Sequence, residues 1–104
     1  MEPRILMLGR EQDIIDDLVA VLTNEGRDVV GTDDWEVAKE ILTREKIDLV
    51  VISAGLEDTV RKEISQDIKR LLPTIPILWE DRASGPEGML DFVTSIAEDF
   101  RTGT

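Results

Sequence analysis

Short apolar segments alternate along the chain with longer segments in which apolar residues recur every three or four positions. The clearest apolar segment lies between Asp48 and Ser53, where four large aliphatic residues follow one another. An uninterrupted run of this length is typical of a strand that is buried on both faces, as in a parallel sheet. Three further strands are predicted at Arg4–Leu8, Asp28–Gly31 and Ile75–Trp79.

Four segments have the spacing of apolar residues that predicts an amphipathic helix. The first covers Glu11–Glu25 and ends at Gly26, a residue type that favours a helix stop. Asp33 lies three residues before Glu36, which is the spacing of a capping box. The second helix is therefore predicted to begin there and to run to about Lys46.

The third helix is predicted at about Thr59–Leu72, because Pro73 cannot continue a helical turn. Its expected inward face consists of Val60, Ile64, Ile68, Leu71 and Leu72. A polar loop over Glu80–Gly88 then leads to a last helix. The expected inward residues of that helix are Leu90, Phe92, Val93, Ile96 and Phe100.

Strands that alternate with helices through short connections predict one α/β domain over residues 1–104, with a parallel sheet between two layers of helices. A chain of 104 residues is long enough to bury one hydrophobic core. In such sheets the functional crevice lies outside the carboxyl ends of the strands. These ends are Gly9–Glu11, Thr32–Asp33, Ser53–Gly55 and Glu80–Asp81.

Composition excludes many enzyme mechanisms, because the chain contains no cysteine and no histidine. It cannot form disulfides, thiolate metal sites, thiol nucleophiles or histidine-based acid–base pairs. We expect no catalytic residue, no cofactor and no metal centre, and hence no enzyme. A chain without cysteine also suits a reducing compartment, so we expect a cytoplasmic protein.

The charge of the chain restricts its partners. Its 23 acidic and 12 basic residues give a net charge of −11. Nucleic acids and anionic membranes attract basic surfaces, so we expect neither as a partner. The N-terminal residues lack the apolar stretch of a signal peptide or a membrane span. Other proteins are therefore the expected partners, although no motif identifies them.

Three segments taken together resemble a known family. They are Arg4–Leu8, Asp48–Ile52 and Ile68–Leu78, and their order and spacing are similar to those of the receiver domain of bacterial response regulators. The resemblance extends over most of residues 1–79. It implies a flavodoxin-like three-layer sandwich and a role in two-component signalling.

The resemblance implies a phosphorylation site that the residues contradict. A working receiver accepts a phosphoryl group on an aspartate at the end of the third strand, where this chain has Ser53. It holds Mg²⁺ with an acidic pair after the first strand, where Gly9 and Arg10 stand. A hard cation needs oxygen ligands and negative charge, which these two residues do not supply.

Two further switch positions of the family also differ. Glu80 and Asp81 stand where a hydroxyl residue is expected after the fourth strand, and no lysine follows Lys69. We therefore expect a degenerate receiver, a non-catalytic signalling domain that acts by protein–protein contacts and not by aspartyl phosphorylation. The alternative is a sensor of a small ligand or a divalent metal that uses the crevice between Gly9, Ser53 and Glu80.

The chain looks shortened relative to the family. The stretch between Asp81 and Met89 is too short for both a fourth helix and a fifth strand. We therefore predict a four-stranded sheet in the order 2-1-3-4, with the fourth strand at an edge. On this edge Ile75, Ile77 and Trp79 form the expected interface for a homodimer or for another protein partner.

The predicted edge also has a second interpretation. Pro76 has no N–H to donate to a ladder, which would protect the edge in part. The last helix or the loop over residues 80–88 would then shield the rest. In that case the apolar side chains of the fourth strand are core residues and not an interface.

Several polar residues keep two interpretations. Ser53 is either a small residue at a crowded strand end or a phosphorylated serine. Arg10 either binds an anion or pairs with Glu80 or Asp81 across the sheet end. Acidic residues near the strand ends either hold a divalent cation or are solvated residues that favour helix starts. They are Glu11, Asp13, Glu57, Asp58, Glu80 and Asp81.

Overall fold

The strands and helices alternate along the chain as the sequence predicts. The computed structural model describes residues 2–81 and 85–102. Its strands are β1 (Arg4–Leu8), β2 (Asp28–Thr32), β3 (Leu49–Ile52) and β4 (Ile77–Trp79). Its helices are α1 (Gln12–Asn24), α2 (Trp35–Arg44), α3 (Asp58–Leu71) and α4 (Gly85–Thr102).

The four strands form one parallel sheet in the order β2-β1-β3-β4, which confirms the predicted topology. Leu6 of β1 lies opposite Val30 of β2 and Val50 of β3. Val50 in turn lies opposite Ile77 of β4. Because the strands run parallel, the residues that follow them come together at one edge of the sheet.

Two hydrophobic cores lie on opposite faces of the sheet. Successive side chains of a strand point to opposite faces. Ile5 and Met7 therefore enter the core beneath α1 and α4, whereas Leu6 and Leu8 enter the core beneath α2 and α3. All four side chains are buried. The result is the predicted three-layer sandwich of flavodoxin-like type.

The start of α2 differs by one residue from the predicted capping box. The N-cap is Asp34 and not Asp33, and its carboxylate accepts a hydrogen bond from the Glu36 N–H at 2.8 Å. Asp33 donates its own N–H to the side chain of Gln12 at 2.9 Å. Either aspartate has the right chemistry for a cap. The position is decided by a contact with α1, which local spacing does not report.

The buried face of α3 also differs from the predicted one. Ile68 is fully buried and Ile64 packs against the same core, as predicted, but Val60 is 38% exposed and Leu71 is 44% exposed. Arg61 takes the inward position expected for Val60 and is only 4% exposed. Residues 61, 64 and 68 follow one another at helical spacing, so the arginine lies on the apolar face.

Helix α4 begins earlier than the predicted loop allows. Residues 85–88 are helical, and residues 82–84 of that loop lie outside the described residues. The buried residues of α4 are Met89, Val93 and Ala97. Four predicted inward residues pack around them: Leu90, Phe92, Ile96 and Phe100. The apolar face of this helix was therefore predicted largely correctly, and it covers the sheet beside α1.

An arginine near the amino ends of the strands ties α4 to the sheet. Arg27 binds Glu2 at 3.0 Å and Glu98 of α4 at 2.7 Å. The hydrogen bond to Glu2 is the main cause that raises the pKa of Arg27, and the hydrogen bond to Glu98 is the next. A raised pKa means that the folded state favours the charged guanidinium. This contribution to stability is therefore present at neutral pH, where the two carboxylates are charged, and it is lost when the pH rises through the pKa of the arginine.

Candidate functional site

A cavity of about 330 Å³ lies at the carboxyl ends of the strands, between the sheet edge and the start of α1. Four predicted site residues line it: Gly9, Arg10, Ser53 and Glu80. Asp81, the fifth, is exposed and does not line the cavity. The fold thus brings together residues that lie more than 70 positions apart in the chain.

The side chain of Ile15 occupies the space that a side chain at position 9 would fill. A Cβ atom at position 9 would lie 2.9 Å from Cδ1 and 3.0 Å from Cγ1 of Ile15. At Gly31 a Cβ atom would lie 2.4 Å from Cγ2 of the same isoleucine. Ile15 is 4% exposed, so one side chain of α1 fills the space above both glycines. Position 9 therefore has no room for a metal-binding side chain unless Ile15 moves.

Ser53 uses its hydroxyl group within its own loop. The Ser53 Oγ accepts a hydrogen bond from the Gly55 N–H at 3.1 Å, and the Ser53 N–H donates to the Leu8 carbonyl at 2.8 Å. A serine hydroxyl that bonds to the backbone two residues ahead stabilises a turn. The structure thus gives the hydroxyl a local role at the point where β3 ends.

Glu80 is the most buried polar group at the site, with an exposure of 3%. One carboxylate oxygen, Oε1, accepts a hydrogen bond from the Ala54 N–H at 3.1 Å. The other, Oε2, is buried and has no hydrogen-bond partner. The Glu80 N–H donates to the Ile52 carbonyl at 2.9 Å, which continues the β3–β4 ladder. The sheet therefore holds this carboxylate rigidly beside the end of β3.

Arg61 supports the segment that carries Glu80, although sequence analysis did not select it. Its Nη1 donates to the Glu80 carbonyl at 2.9 Å, and its Nη2 donates to the Asp58 carboxylate at 2.9 Å. Its guanidinium carbon lies 4.7 Å from the centre of the Trp79 ring, within the range of a cation–π contact. The signal that could have found Arg61 is its helical spacing from Ile64 and Ile68.

Solved structures that are similar to this chain include receiver domains of response regulators. A CheY-like receiver domain protein from Methanospirillum hungatei aligns over 100% of both chains, with a TM-score of 0.69 and 14% identity. The chain has the receiver fold. A receiver domain protein from Clostridium thermocellum aligns over 98% of this chain and 99% of its own, with a TM-score of 0.67 and 13% identity.

A third structure adds the same information at slightly higher identity. The non-phosphorylated HemR receiver domain from Leptospira biflexa has 20% identity and a TM-score of 0.63, over 89% of this chain and 75% of its own. At these identities the likeness establishes the receiver fold and nothing finer. No protein-family model matches the chain, and no curated protein matches its sequence.

Arg10 lies at the rim of the cavity in this receiver fold and is exposed. Within residues 2–81 and 85–102 it forms no ion pair with Glu80, whose Oε1 bonds to the Ala54 N–H. An Arg10–Glu80 ion pair is therefore not the arrangement at this sheet end. The other interpretation, an arginine that binds an anion or a partner carboxylate, stays a prediction.

Acidic side chains do not gather into a metal site in the described part of the chain. No group of three or more carboxylates lies close enough there to hold an ion. The divalent-metal alternative thus has no support among these residues. None of the described helices is long and apolar enough to cross a bilayer.

The outer edge of the sheet carries the predicted interface residues. Ile75 and Ile77 are half-buried against the core beneath α2 and α3, and Trp79 is 41% exposed. The Trp79 Nε1–H donates to Ser65 of α3 at 3.0 Å, so the indole lies along the helix. Within the described residues no strand lies beyond β4.

Pro76 does not screen this outer edge. Its carbonyl accepts the Val50 N–H at 3.0 Å, so the residue faces β3. The N–H and C=O of one strand residue point to the same side. The missing N–H of Pro76 therefore lies on the inner side, and the expectation that it protects the open edge is wrong. Ile77 and Trp79 direct their backbone groups outward.

Proposed function

We propose that this chain is a receiver-like regulatory domain without catalytic activity, which acts through protein–protein contacts and is not switched by aspartyl phosphorylation. The observation that carries the proposal is the buried carboxylate of Glu80. This carboxylate accepts a hydrogen bond from the Ala54 N–H beside the end of β3. It therefore lies at the carboxyl ends of the strands, where the family resemblance implies a phosphoryl group. The regulatory role itself rests on the receiver fold, which does not dictate function.

The chemistry of the strand ends supports this proposal. Aspartyl phosphorylation needs a carboxylate nucleophile, and Ser53 offers a neutral hydroxyl that already bonds to Gly55. It also needs a cation held by oxygen ligands, and the space at Gly9 is filled by Ile15. A substitution that restores the carboxylate nucleophile would therefore still leave the metal ligands missing.

Electrostatics at the same place disfavour an incoming phosphoryl group. The carboxylate of Glu80 is almost completely buried, and charges interact more strongly where water is excluded. A phosphoryl group next to this carboxylate would bring two like charges together without a metal ion between them. The carboxylate of Glu80 therefore lies close to the position at which a working receiver is phosphorylated.

Phosphodonor analogues with Mg²⁺ test this proposal. We expect beryllofluoride with Mg²⁺ to leave the amide chemical shifts around residue 53 unchanged, since neither a nucleophile nor metal ligands are present. We expect the same of Ser53→Asp, because Gly9 still provides no ligand. The measurement is a two-dimensional amide NMR spectrum with and without the reagent, with Mg²⁺ alone as the control.

The reagent itself is checked on a receiver domain that does respond to beryllofluoride. A saturable shift around residue 53 in the native chain would contradict the proposal. A response of Ser53→Asp alone would show that the missing aspartate is the sole defect, which would contradict the argument about Gly9 and Ile15.

We further propose that the outer edge of β4 is the docking surface and that a second copy of the chain occupies it. Support comes from the open side of β4, where the backbone groups of Ile77 and Trp79 point outward, and from the exposure of Trp79. Unpaired strand edges with apolar side chains readily pair with another chain. Residues 65, 69 and 75–77 border a shallow groove beside this edge.

Trp79→Lys is expected to convert a dimer into a monomer, because it places a charge on the apolar edge and removes the exposed ring. Size-exclusion chromatography with light scattering gives the mass. Val37→Lys is the matched control, since Val37 is 42% exposed on α2, away from this edge. A native chain that stays monomeric at high concentration, or a dimer that survives Trp79→Lys, would contradict this surface.

A further inference from the structure

We propose that the cavity at the strand ends binds a small molecule that carries a primary ammonium group on a short apolar body. Glu80 Oε2 would accept hydrogen bonds from the ammonium group, and the apolar part would lie against α1 and α4. This inference is separate from the proposed docking function, which uses the edge of β4.

The first observation is the unpaired oxygen of Glu80. Native proteins provide hydrogen-bond partners for the large majority of buried polar atoms, and buried charges are almost always paired. Glu80 is 3% exposed, yet its Oε2 has no partner in the structure. Glu80 is one of the residues that line the cavity, so a ligand there lies beside this buried carboxylate.

The second observation is that no neighbouring cation satisfies this oxygen. Arg61 is close in the fold, but its two terminal nitrogens bond to the Glu80 carbonyl and to Asp58. Arg10 lines the rim and forms no ion pair within the described residues. The described lining contains two carboxylates, Glu80 and Glu11, against the one guanidinium of Arg10. Its formal charge therefore favours a cation.

The third observation is the apolar part of the cavity lining. It includes Ile14 and Leu18 of α1, Met89 of α4 and Met7 of β1. Ligand sites in proteins are mostly apolar with a few polar groups that fix orientation. A volume of about 330 Å³ is at the small end of such sites, which suits a small molecule.

The chemistry of the lining distinguishes an ammonium group from other ligands. A divalent metal needs several oxygen ligands, and no three carboxylates lie together in the described part of the chain. An anion would meet the buried charge of Glu80. An alkyl ammonium satisfies both halves of the cavity, because it donates up to three hydrogen bonds at one end and is apolar at the other.

Butylammonium is the probe for this proposal, with butanol and butyrate as neutral and anionic controls of the same chain length. We expect butylammonium to give saturable amide shifts at Gly9 and Ala54, with a dissociation constant on the order of 1 mM for so small a ligand. Butanol should bind about tenfold more weakly or worse, because its hydroxyl group offers one uncharged donor in place of the charged ammonium group. Butyrate should not bind.

Three variants test where the ammonium group binds. Glu80→Gln keeps an oxygen for the Ala54 N–H but removes the charge, and it should weaken butylammonium about tenfold or more. Glu63→Gln, at an exposed position on α3, should leave binding unchanged. Arg10→Gln removes a cation from the rim, so butylammonium should bind at least as tightly as to the native chain.

Three results would overturn the proposal: no saturable shift up to the solubility limit of the amine, butanol binding as tightly as butylammonium, or unchanged binding in Glu80→Gln. The amide spectrum of each variant first shows that it is folded. A response to beryllofluoride would contradict the proposed function but would leave this titration as it stands, so the two failures are distinguishable.

Discussion

Replacing Arg61 by alanine is expected to lower the free energy of unfolding by about 2–4 kcal/mol. The variant leaves the Glu80 carbonyl without its buried donor, removes the cation–π contact with Trp79 and opens a space beneath α3. Urea unfolding followed by far-UV circular dichroism measures the loss. Arg61→Met, which keeps much of the packing but no donor, should lose less.

The matched control lies on the same helix at the same spacing. Arg70 pairs with Asp67 as Arg61 pairs with Asp58, each three residues apart and each at 2.9 Å, but the Arg70 side chain is 76% exposed. Exposed ion pairs of this kind contribute little, so Arg70→Ala should change stability by no more than about 0.5 kcal/mol. Equal losses in the two variants would show that burial of Arg61 has no energetic consequence.

The second large effect is expected at Ile15, whose side chain fills the space above two glycines. Ile15→Ala should lower the free energy of unfolding by about 2–4 kcal/mol, because it leaves a cavity against Gly9 and Gly31. Gly31→Ala should cost about 1–3 kcal/mol in the native background, since its new methyl group would lie 2.4 Å from Cγ2 of Ile15. Urea unfolding of each variant gives both values.

The double variant tests whether the two residues share one space. In the Ile15→Ala background, Gly31→Ala should be close to neutral, so the two changes should be non-additive by about 1–3 kcal/mol. Gly55→Ala is the control, because its Cβ atom would meet only ordinary contacts at 3.5 Å or more. Strict additivity of the changes at positions 15 and 31 would contradict this account of the packing.

These two residues also bear on the proposed lack of phosphorylation chemistry. Ile15 lies so close to Gly9 that a side chain at position 9 requires Ile15 to shift. Arg61 holds the main chain of Glu80, which keeps the buried carboxylate at the end of β3. The packing of Ile15 in the core and the residues at the carboxyl ends of the strands thus both disfavour a magnesium site.

Sequence analysis predicted the fold almost completely, and the reason is visible in single elements. Every position of β3 is a large aliphatic residue, which indicates a central parallel strand, and all four residues are buried. The spacing of apolar residues in α4 likewise matched most of its buried face, whereas Ile14 of α1 is 39% exposed. Such patterns are strong because each element must turn its apolar side to the sheet, whichever partner covers it.

The wrong predictions concern residues whose position depends on a second element. Asp34 and not Asp33 caps α2, since Gln12 of α1 takes the Asp33 N–H. Arg61 replaced Val60 on the inward face of α3, because the Glu80 carbonyl and the ring of Trp79 receive its guanidinium. Neither the acceptor nor the ring is near in sequence, so local periodicity could not report them.

The sequence by itself determined the strands and their parallel order, since both depend on residue type and spacing along the chain. Only the tertiary structure decided that Glu80 is buried with one unpaired oxygen and that Ile15 fills the space at Gly9. It also decided that the carbonyl of Pro76 bonds to β3. The physical reason is that burial of a long or polar side chain depends on the groups that other elements bring to it, and those groups meet only when the sheet is assembled.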